Sequence, residues 1–204
     1  MGTSPEFLSF SRSEQVPNTV HVPRPGPEGR PPLDDLDLVE RLRRHDADAY
    51  RLLYARHARY LAGVVFRLLG GDHELEDVVQ ESFVDAVEGI DQLEQAARLR
   101  PWLVTIAVRK VNRVLLARRR RKKLASSFAL VAPRSHRPAE EWSVDDLRRA
   151  LDEIAPEVRV PWLLARVEQL ELEDVARACS VSVATTKRRI AAAEQCIRRW
   201  FDAR

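Results

Sequence analysis

Apolar residues recur at helical spacing along most of the chain, and no convincing alternation of apolar and polar positions predicts a strand. A Gly-Gly pair at positions 70 and 71 is expected to end one long helix, and Asp72 is expected to cap the next. The pattern predicts four helices in the first part of the chain: Leu36–His45, Asp48–Leu69, a third from Asp72 to Gly89, and a fourth from Pro101 into a basic run at 118–123.

The helical period stops at about residue 125 and resumes after residue 141, so "ASSFALVAPRSHRPAEE" (125–141) is predicted to be a flexible linker. Ser143 and Asp146 form a capping-box pattern that opens a second set of helices. These are expected at Val144–Ile154, Glu157–Gln169, Glu171–Cys179 and Val183–Phe201. The predicted fold is therefore all-α, with two small helical domains, 34–124 and 142–204, joined by the linker.

The first 33 residues hold seven of the twelve prolines and lack an apolar period, so segment 1–33 is predicted to be a disordered extension. Its opening "MGTSPEF" is typical of a cloning scar. The chain shows neither a signal-peptide pattern nor a window of eighteen apolar residues, and we expect a cytoplasmic protein without membrane insertion. Cys179 and Cys196 form no CxxC pattern and are expected to be buried free thiols. The five histidines are scattered, so no metal or other cofactor is expected.

Charge is sharply segregated although the net charge is only +3. Residues 72–94 carry nine acids and no Lys or Arg, whereas residues 95–139 carry thirteen Lys or Arg and no acid. Adjacent blocks of opposite sign indicate two different partners, one of them polyanionic.

The acidic block lies on the third predicted helix, whose apolar side chains fall on the opposite face. Like charges at helical spacing repel by roughly 0.2–0.5 kcal/mol per pair, so folding alone does not favour such a stripe. A solvated face is the plain alternative, and a docking surface for a basic protein is the functional one. The apolar face comprises Leu75, Val78, Val79, Ser82, Phe83 and Ala86, and the acidic stripe comprises Glu74, Asp77, Glu81, Asp85 and Glu88.

The fourth helix, "PWLVTIAVRKVNRVLLARRRRKK", is expected to face inward through Leu103, Ala107, Val111 and Val114. Its other arc combines an aromatic ring, hydrogen-bonding groups and fixed positive charge, which suit the phosphates, base edges and unstacked bases of nucleic acid. For Trp102 the alternative is a core aromatic, and for the cation run it is a solvated tail or a nuclear-localisation signal. The arc comprises Trp102, Thr105, Arg109, Asn112 and Arg113, and the run that extends it includes Arg118, Arg119 and Arg120.

The stretch "LEDVARACSVSVATTKRRIAAAEQCIRRW" predicts a helix, a tight turn and a second helix. Val175, Ala176 and Cys179 are expected to face inward from the first helix, with Ile190, Ala193 and Ile197 on the second. The start of the second helix presents polar and cationic side chains, as a recognition helix presents them to a major groove. Simple helix packing is the alternative. The outward residues are Thr185, Lys187, Arg188 and Arg189.

Taken together, residues 36–203 resemble a bacterial sigma factor of the extracytoplasmic-function (ECF) group. "GGDHELEDVVQESFVDAV" is similar to the family's polymerase-binding motif, with Asp77, Gln80, Glu81 and Phe83 on its characteristic positions. The tryptophan-led basic helix follows, and "LRRALDEIAPEVRVPWLLARVEQLELEDVARACSVSVATTKRRI" is similar to the family's fourth region.

The resemblance implies a non-catalytic specificity subunit whose partners are core RNA polymerase, promoter DNA and an anti-sigma factor. The first domain (sigma region 2) would recognise and melt the minus-ten element, with the loop Asp91–Arg100 and the basic helix capturing an unpaired base. The second (sigma region 4) would dock on the polymerase flap and read the minus-thirty-five element. The implied polymerase-binding residues are Glu74, Asp77, Gln80, Glu81, Asp85 and Glu88. The implied minus-ten residues are Trp102, Thr105, Arg109, Asn112, Arg113, Arg118, Arg119 and Arg120, and the minus-thirty-five residues are Thr185, Lys187, Arg188 and Arg189.

Several positions depart from the family pattern. Arg109 stands where the family usually has an asparagine, and Arg113 stands where the family frequently has an acid. Ser180 stands where a turn glycine is usual. Pro161 is expected to interrupt a helix that the family keeps continuous, at a cost of about 3 kcal/mol unless a kink or a later helix start accommodates it. Ala184 and Thr186 replace a glycine and a valine.

A free-standing helix-turn-helix regulator is the alternative function. It predicts tight, specific DNA binding without polymerase, whereas a sigma factor predicts weak binding alone. An enzyme has no support, because the chain shows no catalytic triad, metal-ligand spacing or glycine-rich phosphate loop.

Overall fold

The computed structural model describes residues 34–71, 73–125 and 143–203. These ranges contain helices and short 3-10 turns but no strand, so the predicted all-α class is confirmed. The helices are α1 (Asp35–Arg43), α2 (Ala47–Leu69), α3 (Leu75–Glu88), α4 (Leu99–Ala125), α5 (Val144–Glu153), α6 (Pro156–Arg166), α7 (Leu172–Ala178) and α8 (Val183–Asp202), with 3-10 turns at Ile90–Gln92 and Ala96–Arg98 between α3 and α4.

Helix ends follow the local chemistry of the sequence. Gly70 ends α2 in the left-handed conformation with φ of 70°, which confirms the predicted stop. The capping box of Ser143 and Asp146 is present at the start of α5. Helix α3 begins at Leu75 with Glu74 at its N-cap, so the prediction that Asp72, which lies outside the described residues, caps this helix is wrong. Pro101 falls in the first turn of α4, where its missing N–H costs no helical hydrogen bond.

Helices α1 to α4 pack around an apolar core, in which α2, α3 and α4 all contact one another. The apolar face predicted for α3 is the buried face observed, from Leu75 to Ala86. Burial of such side chains is worth about 1.5–3 kcal/mol each, which makes this core the main source of stability in the bundle. Its largest fully buried side chains include Leu38, Leu42, Leu53, Leu61, Val64, Val65, Leu68, Val79, Leu99 and Leu103.

Helices α5 to α8 form the second group, in which α6 packs along α8. The expectation that Pro161 interrupts its helix is wrong, because α6 runs unbroken from Pro156 to Arg166. Pro161 is the sixth residue of α6, so its missing N–H leaves only the carbonyl of Glu157, in the exposed first turn, without an intrahelical partner. The helix therefore tolerates the proline at a cost confined to its start.

The two groups of helices also pack against each other. Helix α4 contacts α6 and α7, and α2 contacts α6. Buried side chains from both groups, among them Leu115, Val160 and Ala178, belong to one continuous apolar cluster. Residues 126–142, which hold nearly all of the predicted linker, lie outside the described residues, and the division into two independent domains stays a prediction.

The two cysteines differ in their surroundings. Cys179 is half-buried, and burial raises the pKa of its thiol to about 11. Cys196 is exposed, so the expectation that both thiols are buried is wrong. On α8 the neighbouring Ile197 takes the inward position, and this turns Cys196 toward solvent.

The turn between α7 and α8 shows why a glycine is usual there. Ser180 has φ of 54°, in the left-handed region, and its N–H donates to the carbonyl of Arg177 at 3.2 Å. A side chain in this region costs about 1–2 kcal/mol that glycine avoids. Ser182, two residues later, caps α8 by accepting a hydrogen bond from the N–H of Thr185 at 3.2 Å.

We therefore expect Ser180→Gly to raise the free energy of unfolding by up to about 1 kcal/mol, since it relieves strain that exceeds the added entropy of the unfolded chain. The matched Ser182→Ala variant should lower it by about 1 kcal/mol through loss of the cap. Urea denaturation followed by circular dichroism measures both. A Ser180→Gly protein less stable than the parent would contradict the strain assigned to this turn.

Candidate functional site

The outward face of α3 carries the predicted acidic stripe. Asp77, Gln80, Glu81, Asp85 and Glu88 are exposed, and Glu74 is half-buried at the helix start. On the opposite side, the Phe83 ring packs against the Tyr54 ring with 4.9 Å between centroids, which fixes the helix on α2. The core contact thus holds the acidic stripe toward solvent.

Two of these acids hold a buried cation of the neighbouring helix. The ammonium of Lys110 on α4 lies 2.8 Å from Asp85 Oδ2 and 3.2 Å from Glu81 Oε2. The Lys110 side chain is only 7 % exposed, whereas those of Glu81 and Asp85 are 65 % and 46 % exposed. A buried ammonium needs such partners, because desolvation of an unpaired charge is costly. Lys110 therefore ties the edge of the acidic stripe to α4.

A second contact joins the start of α3 to the basic run. Arg118 donates to both carboxylate oxygens of Glu74, with Nε 3.3 Å from Oε1, and also to the carbonyl of Leu69 at 2.8 Å. The hydrogen bond from Arg118 holds the pKa of Glu74 below its usual value. Arg118 therefore secures the α2–α3 connection, and it is less available to an outside anion than its neighbours in the run.

The rest of the acidic stripe has no cationic partner within the described residues. Asp77 and Glu88 make no ion pair there, and Gln80 donates only to Glu76 of the same helix at 3.2 Å. Val84 lies among them with 54 % of its surface exposed, one of the few large apolar side chains so placed. An exposed apolar residue ringed by acids is typical of a protein-contact surface.

The outward face of α4 carries free positive charge. Arg109, Arg113 and Arg120 are exposed, and none forms an ion pair within the part of the chain that the structure describes. Trp102 is half-buried and packs against the core, so part of its ring serves packing. We define the basic face as these four residues together with Asn112 and Arg119.

Thr105 does not lie on this face. It is 4 % exposed, and its hydroxyl donates to the carbonyl of Pro101 at 3.0 Å, one turn earlier on the same helix. The prediction that Thr105 points outward is therefore wrong. Helix α4 is covered by neighbours on several sides, which narrows the exposed arc below what a helical wheel indicates.

Asn112 and Arg119 turn toward the second group of helices. Arg119 Nη1 donates to Glu157 of α6 at 3.0 Å. Half-buried Asn112 lines a cleft of about 210 Å³ together with Leu116, Cys179 and Arg189. The basic face is thus open at Arg109, Arg113 and Arg120 and partly covered at these two positions.

Helix α8, the candidate recognition helix, has two exposed cationic side chains. Lys187 and Arg188 are exposed, and Arg188 donates to the hydroxyl of Thr185 at 3.2 Å. Thr185 is half-buried beside the cap Ser182, with 3.0 Å between their hydroxyl oxygens. Arg189 is half-buried in the cleft that faces α4. Of the four predicted outward residues, Lys187 and Arg188 are therefore the most accessible.

Comparison with known proteins identifies the family. The Sigma-70 region 2 family matches residues 53–123, which span most of α2, α3 and α4. The RNA polymerase sigma factor CarQ of Myxococcus xanthus is 30 % identical over 141 residues, covering 67 % of this chain and 80 % of that protein. The ECF RNA polymerase sigma-E factor of Salmonella typhimurium is 28 % identical over 179 residues, 81 % of this chain and 93 % of that protein. The chain belongs to the ECF sigma factors.

Two solved structures share the fold of this sigma factor. One is the sigma factor RpoE of Bartonella quintana in complex with the anti-sigma factor NepR, with a TM-score of 0.57 and 22 % identity over 76 % of this chain and 98 % of that one. The other is CnrH in complex with the cytosolic domain of CnrY, with a TM-score of 0.58 and 23 % identity over 83 % and 97 %. Both likenesses concern the helical architecture.

The described ranges of the sigma factor contain neither a membrane-spanning helix nor a metal-ligand cluster. No helix in them has the length and apolarity needed to cross a membrane. No cluster of three or more His, Cys, Asp or Glu residues in the same ranges is placed to hold a metal ion.

Sequence reasoning missed Lys110 and Arg98. In the sequence, both residues are only members of a block of thirteen cations. In the structure, Lys110 bridges two acids, and Arg98 Nη1 lies 2.7 Å from Oδ1 of Asp174 on α7. A signal for Lys110 was present in the sequence, because its position continues the inward face of α4 between Ala107 and Val111. Nothing along the chain indicates the partner of Arg98, since 76 residues separate the two side chains.

The ion pairs of Lys110 with Glu81 and Asp85 predict that loss of the two acids destabilises the fold more than loss of the cation. Glu81→Ala with Asp85→Ala should lower the free energy of unfolding of the sigma factor by about 3 kcal/mol, because it leaves a buried ammonium unpaired. Lys110→Met should change it by less than about 1 kcal/mol, because a chain of similar length fills the same space. Chemical denaturation of the purified variants measures both.

The matched control is Asp77→Ala with Glu88→Ala, which removes two charges from α3 without breaking a described ion pair. It should change stability by less than about 0.5 kcal/mol. Equal losses in the two double variants would mean that the bridge contributes nothing.

Proposed function

We propose that this chain is a sigma factor that binds core RNA polymerase and directs promoter-specific transcription initiation, without catalysis of its own. The observation that supports this most is the placement of an open acidic surface on α3 beside an open basic surface on α4, in a chain of the ECF family. A protein partner for the first and DNA for the second account for both surfaces at once.

The acidic surface of α3 is the proposed polymerase-docking site. Asp77, Gln80 and Glu88 are free to meet a basic partner, with Val84 as an apolar contact among them. Glu81 and Asp85 contribute through oxygens that remain exposed while they hold Lys110. Glu74 contributes least, because Arg118 already neutralises it.

The basic face of α4 is the proposed minus-ten surface. Arg109, Arg113 and Arg120 offer phosphate contacts, which fix the register of the nucleic acid. The exposed part of Trp102 offers stacking for an unpaired base, beside the loop that precedes α4. Asn112, Arg118 and Arg119 require release from their present neighbours before they can contribute.

The start of α8 is the proposed reader of the minus-thirty-five element. Lys187 and Arg188 project from the first turns of the helix, the position from which a recognition helix reaches base edges in a major groove. Thr185 supports Arg188 by accepting its hydrogen bond. Arg189 joins this surface only when the cleft toward α4 opens.

The remaining expectations follow from the same role. The factor works in the cytoplasm with polymerase, uses no cofactor, and is controlled by an anti-sigma factor, as in the neighbouring complexes of RpoE with NepR and CnrH with CnrY. A regulator that acts without polymerase would not account for the acidic surface of α3.

Paired variants test the division of roles. Asp77→Lys with Glu88→Lys should weaken binding to core polymerase by about tenfold or more, because like charges would face each other across the interface. Lys187→Ala with Arg188→Ala should leave core affinity within about twofold and reduce promoter-specific transcripts by about tenfold, since each lost base contact is worth about 1–3 kcal/mol. Fluorescence titration with core polymerase and run-off transcription measure these effects.

Each double variant is the control for the other. Loss of core affinity in the α8 variant together with normal affinity in the α3 variant would mean that the surfaces are assigned the wrong way round. Failure of the parent chain to co-elute with core polymerase would refute the function itself.

A further inference from the structure

A cavity of about 140 Å³ lies where the end of α2 meets α5 and α6. Its lining includes no residue of the acidic surface of α3, the basic face of α4 or the start of α8. A cavity of about 150 Å³ with apolar walls accommodates one benzene ring, so this space is large enough for a ring of that size. The apolar side chains that line it are Phe66, Leu147, Leu151, Leu163 and Val167.

Arg159 of α6 lines the cavity and keeps one N–H group unpaired. The residue is only 6 % exposed. Its Nη1 donates to the carbonyl of Leu151 at 3.1 Å and to Oδ1 of Asp152 at 3.0 Å, and its Nη2 donates to the carbonyl of Leu68 at 3.3 Å. Because the guanidinium group is planar and rigid, these bonds fix its orientation. The buried Nε–H has no acceptor within the described residues.

Trp162 lines the same cavity with a second unpaired donor. It follows Arg159 by three positions on α6, so both side chains lie on one face of the helix. Its indole Nε1–H is buried and has no acceptor in the part of the chain that the structure describes. A buried tryptophan N–H usually has a hydrogen-bond partner. Two of the three buried side-chain polar atoms that lack a partner in these ranges therefore line this one cavity.

The charges around the cavity are already balanced. Arg67 Nε lies 2.6 Å from Oε1 of Glu168, Arg148 donates to the carbonyl of Gly70, and Arg159 pairs with an acid of α5. Three carboxylates accompany these three cations: Asp145, Asp152 and Glu168. A charged ligand would therefore lose its hydration without gaining an unpaired counter-ion. The unmet requirement of the cavity is a hydrogen-bond acceptor, not a charge.

We propose that this cavity binds a small neutral molecule that has one apolar ring and a carbonyl oxygen, which accepts hydrogen bonds from Arg159 Nε and Trp162 Nε1. A carbonyl oxygen has two lone pairs and can accept both bonds. The ring packs against the apolar walls, among them Phe66 and Leu163. The site is separate from the surfaces proposed for polymerase and DNA, so it adds a small-molecule ligand to the partners of this chain.

The first experiment locates binding in the full chain with acetophenone as the probe. The chain has four tryptophans, and the indole N–H signal that disappears from a nitrogen–proton NMR spectrum in Trp162→Phe identifies Trp162. Acetophenone should move this signal downfield in a saturable manner, because a new acceptor deshields the proton. The signal of Trp200, which is outside the cavity and is identified in the same way with Trp200→Phe, should not move.

A matched ligand isolates the hydrogen bond. Ethylbenzene has the carbon skeleton of acetophenone with a methylene group in place of the carbonyl. Trp162→Phe keeps an aromatic ring but removes the N–H, so it should weaken acetophenone binding by about fivefold or more and leave ethylbenzene binding within about twofold. The control Trp200→Phe should leave both affinities within about twofold. Ligand-observed NMR titrations measure the affinities, and circular dichroism verifies that each variant is folded.

Benzoate tests whether the ligand is neutral. It has the same ring with a carboxylate, and it should bind about tenfold more weakly than acetophenone because no unpaired cation compensates its desolvation. Benzoate that binds more tightly than acetophenone would overturn the neutral class.

Two further results would overturn the proposal. One is the absence of a saturable shift of the Trp162 signal with acetophenone, which would mean that water alone satisfies the two donors. The other is an equal loss of affinity for acetophenone and ethylbenzene in Trp162→Phe, which would mean that the N–H does not bind the carbonyl. These measurements use the chain without polymerase or DNA, so their outcome is independent of the transcription assay.

Discussion

The ammonium of Lys110 lies between Glu81 and Asp85 where α3 and α4 pack side by side. This contact allows the helical bundle to meet two structural requirements. The apolar faces of the two helices must share a core, while their outward faces carry opposite charge for different partners. Adjacent helices of opposite charge would otherwise pair along their length and neutralise each other. The structure limits this pairing to Lys110 and Arg118, and leaves Asp77 and Glu88 on one side and Arg109 and Arg113 on the other exposed.

The same electrostatic logic extends to the contact between the two helical groups. Cations that attract phosphates also attract carboxylates, and besides the acids of α3 these include acids of α6 and α7: Glu157 pairs with Arg119, and Asp174 pairs with Arg98. Their effective concentration is high because they are covalently attached. The buried pair of Arg67 and Glu168 adds a contact that exposed side chains alone would not provide. Acids of the same chain therefore pair with part of the proposed DNA-binding face, at Arg119.

Local features of the fold were predictable because local chemistry determines them. Gly70 ends α2, the capping box of Ser143 opens α5, and the buried face of α3 follows directly from its apolar period. The left-handed turn at Ser180 lies where the family resemblance places a turn glycine. These features depend on residues within a few positions of each other, for which the sequence pattern is sufficient.

The fine structure of the site was less predictable, because it depends on which helices cover α4. A helical wheel predicts that Thr105 points outward, but in the structure this residue is buried. Lys110 is also buried, and it bridges two acids of α3. The partners of Arg98 and Arg119 come from α6 and α7, far along the chain. Only tertiary packing decides which members of a cation block are paired and which are free to bind DNA.

The central claim is that one bundle presents a protein-binding surface and a DNA-binding surface on neighbouring helices. Site-specific photocrosslinking in the assembled complex of this chain, core polymerase and promoter DNA tests it most directly. A photoreactive residue at Gln80 should crosslink to polymerase protein, and one at Arg113 should crosslink to DNA. Crosslinks from Gln80 to DNA, or from Arg113 to polymerase alone, would contradict the account.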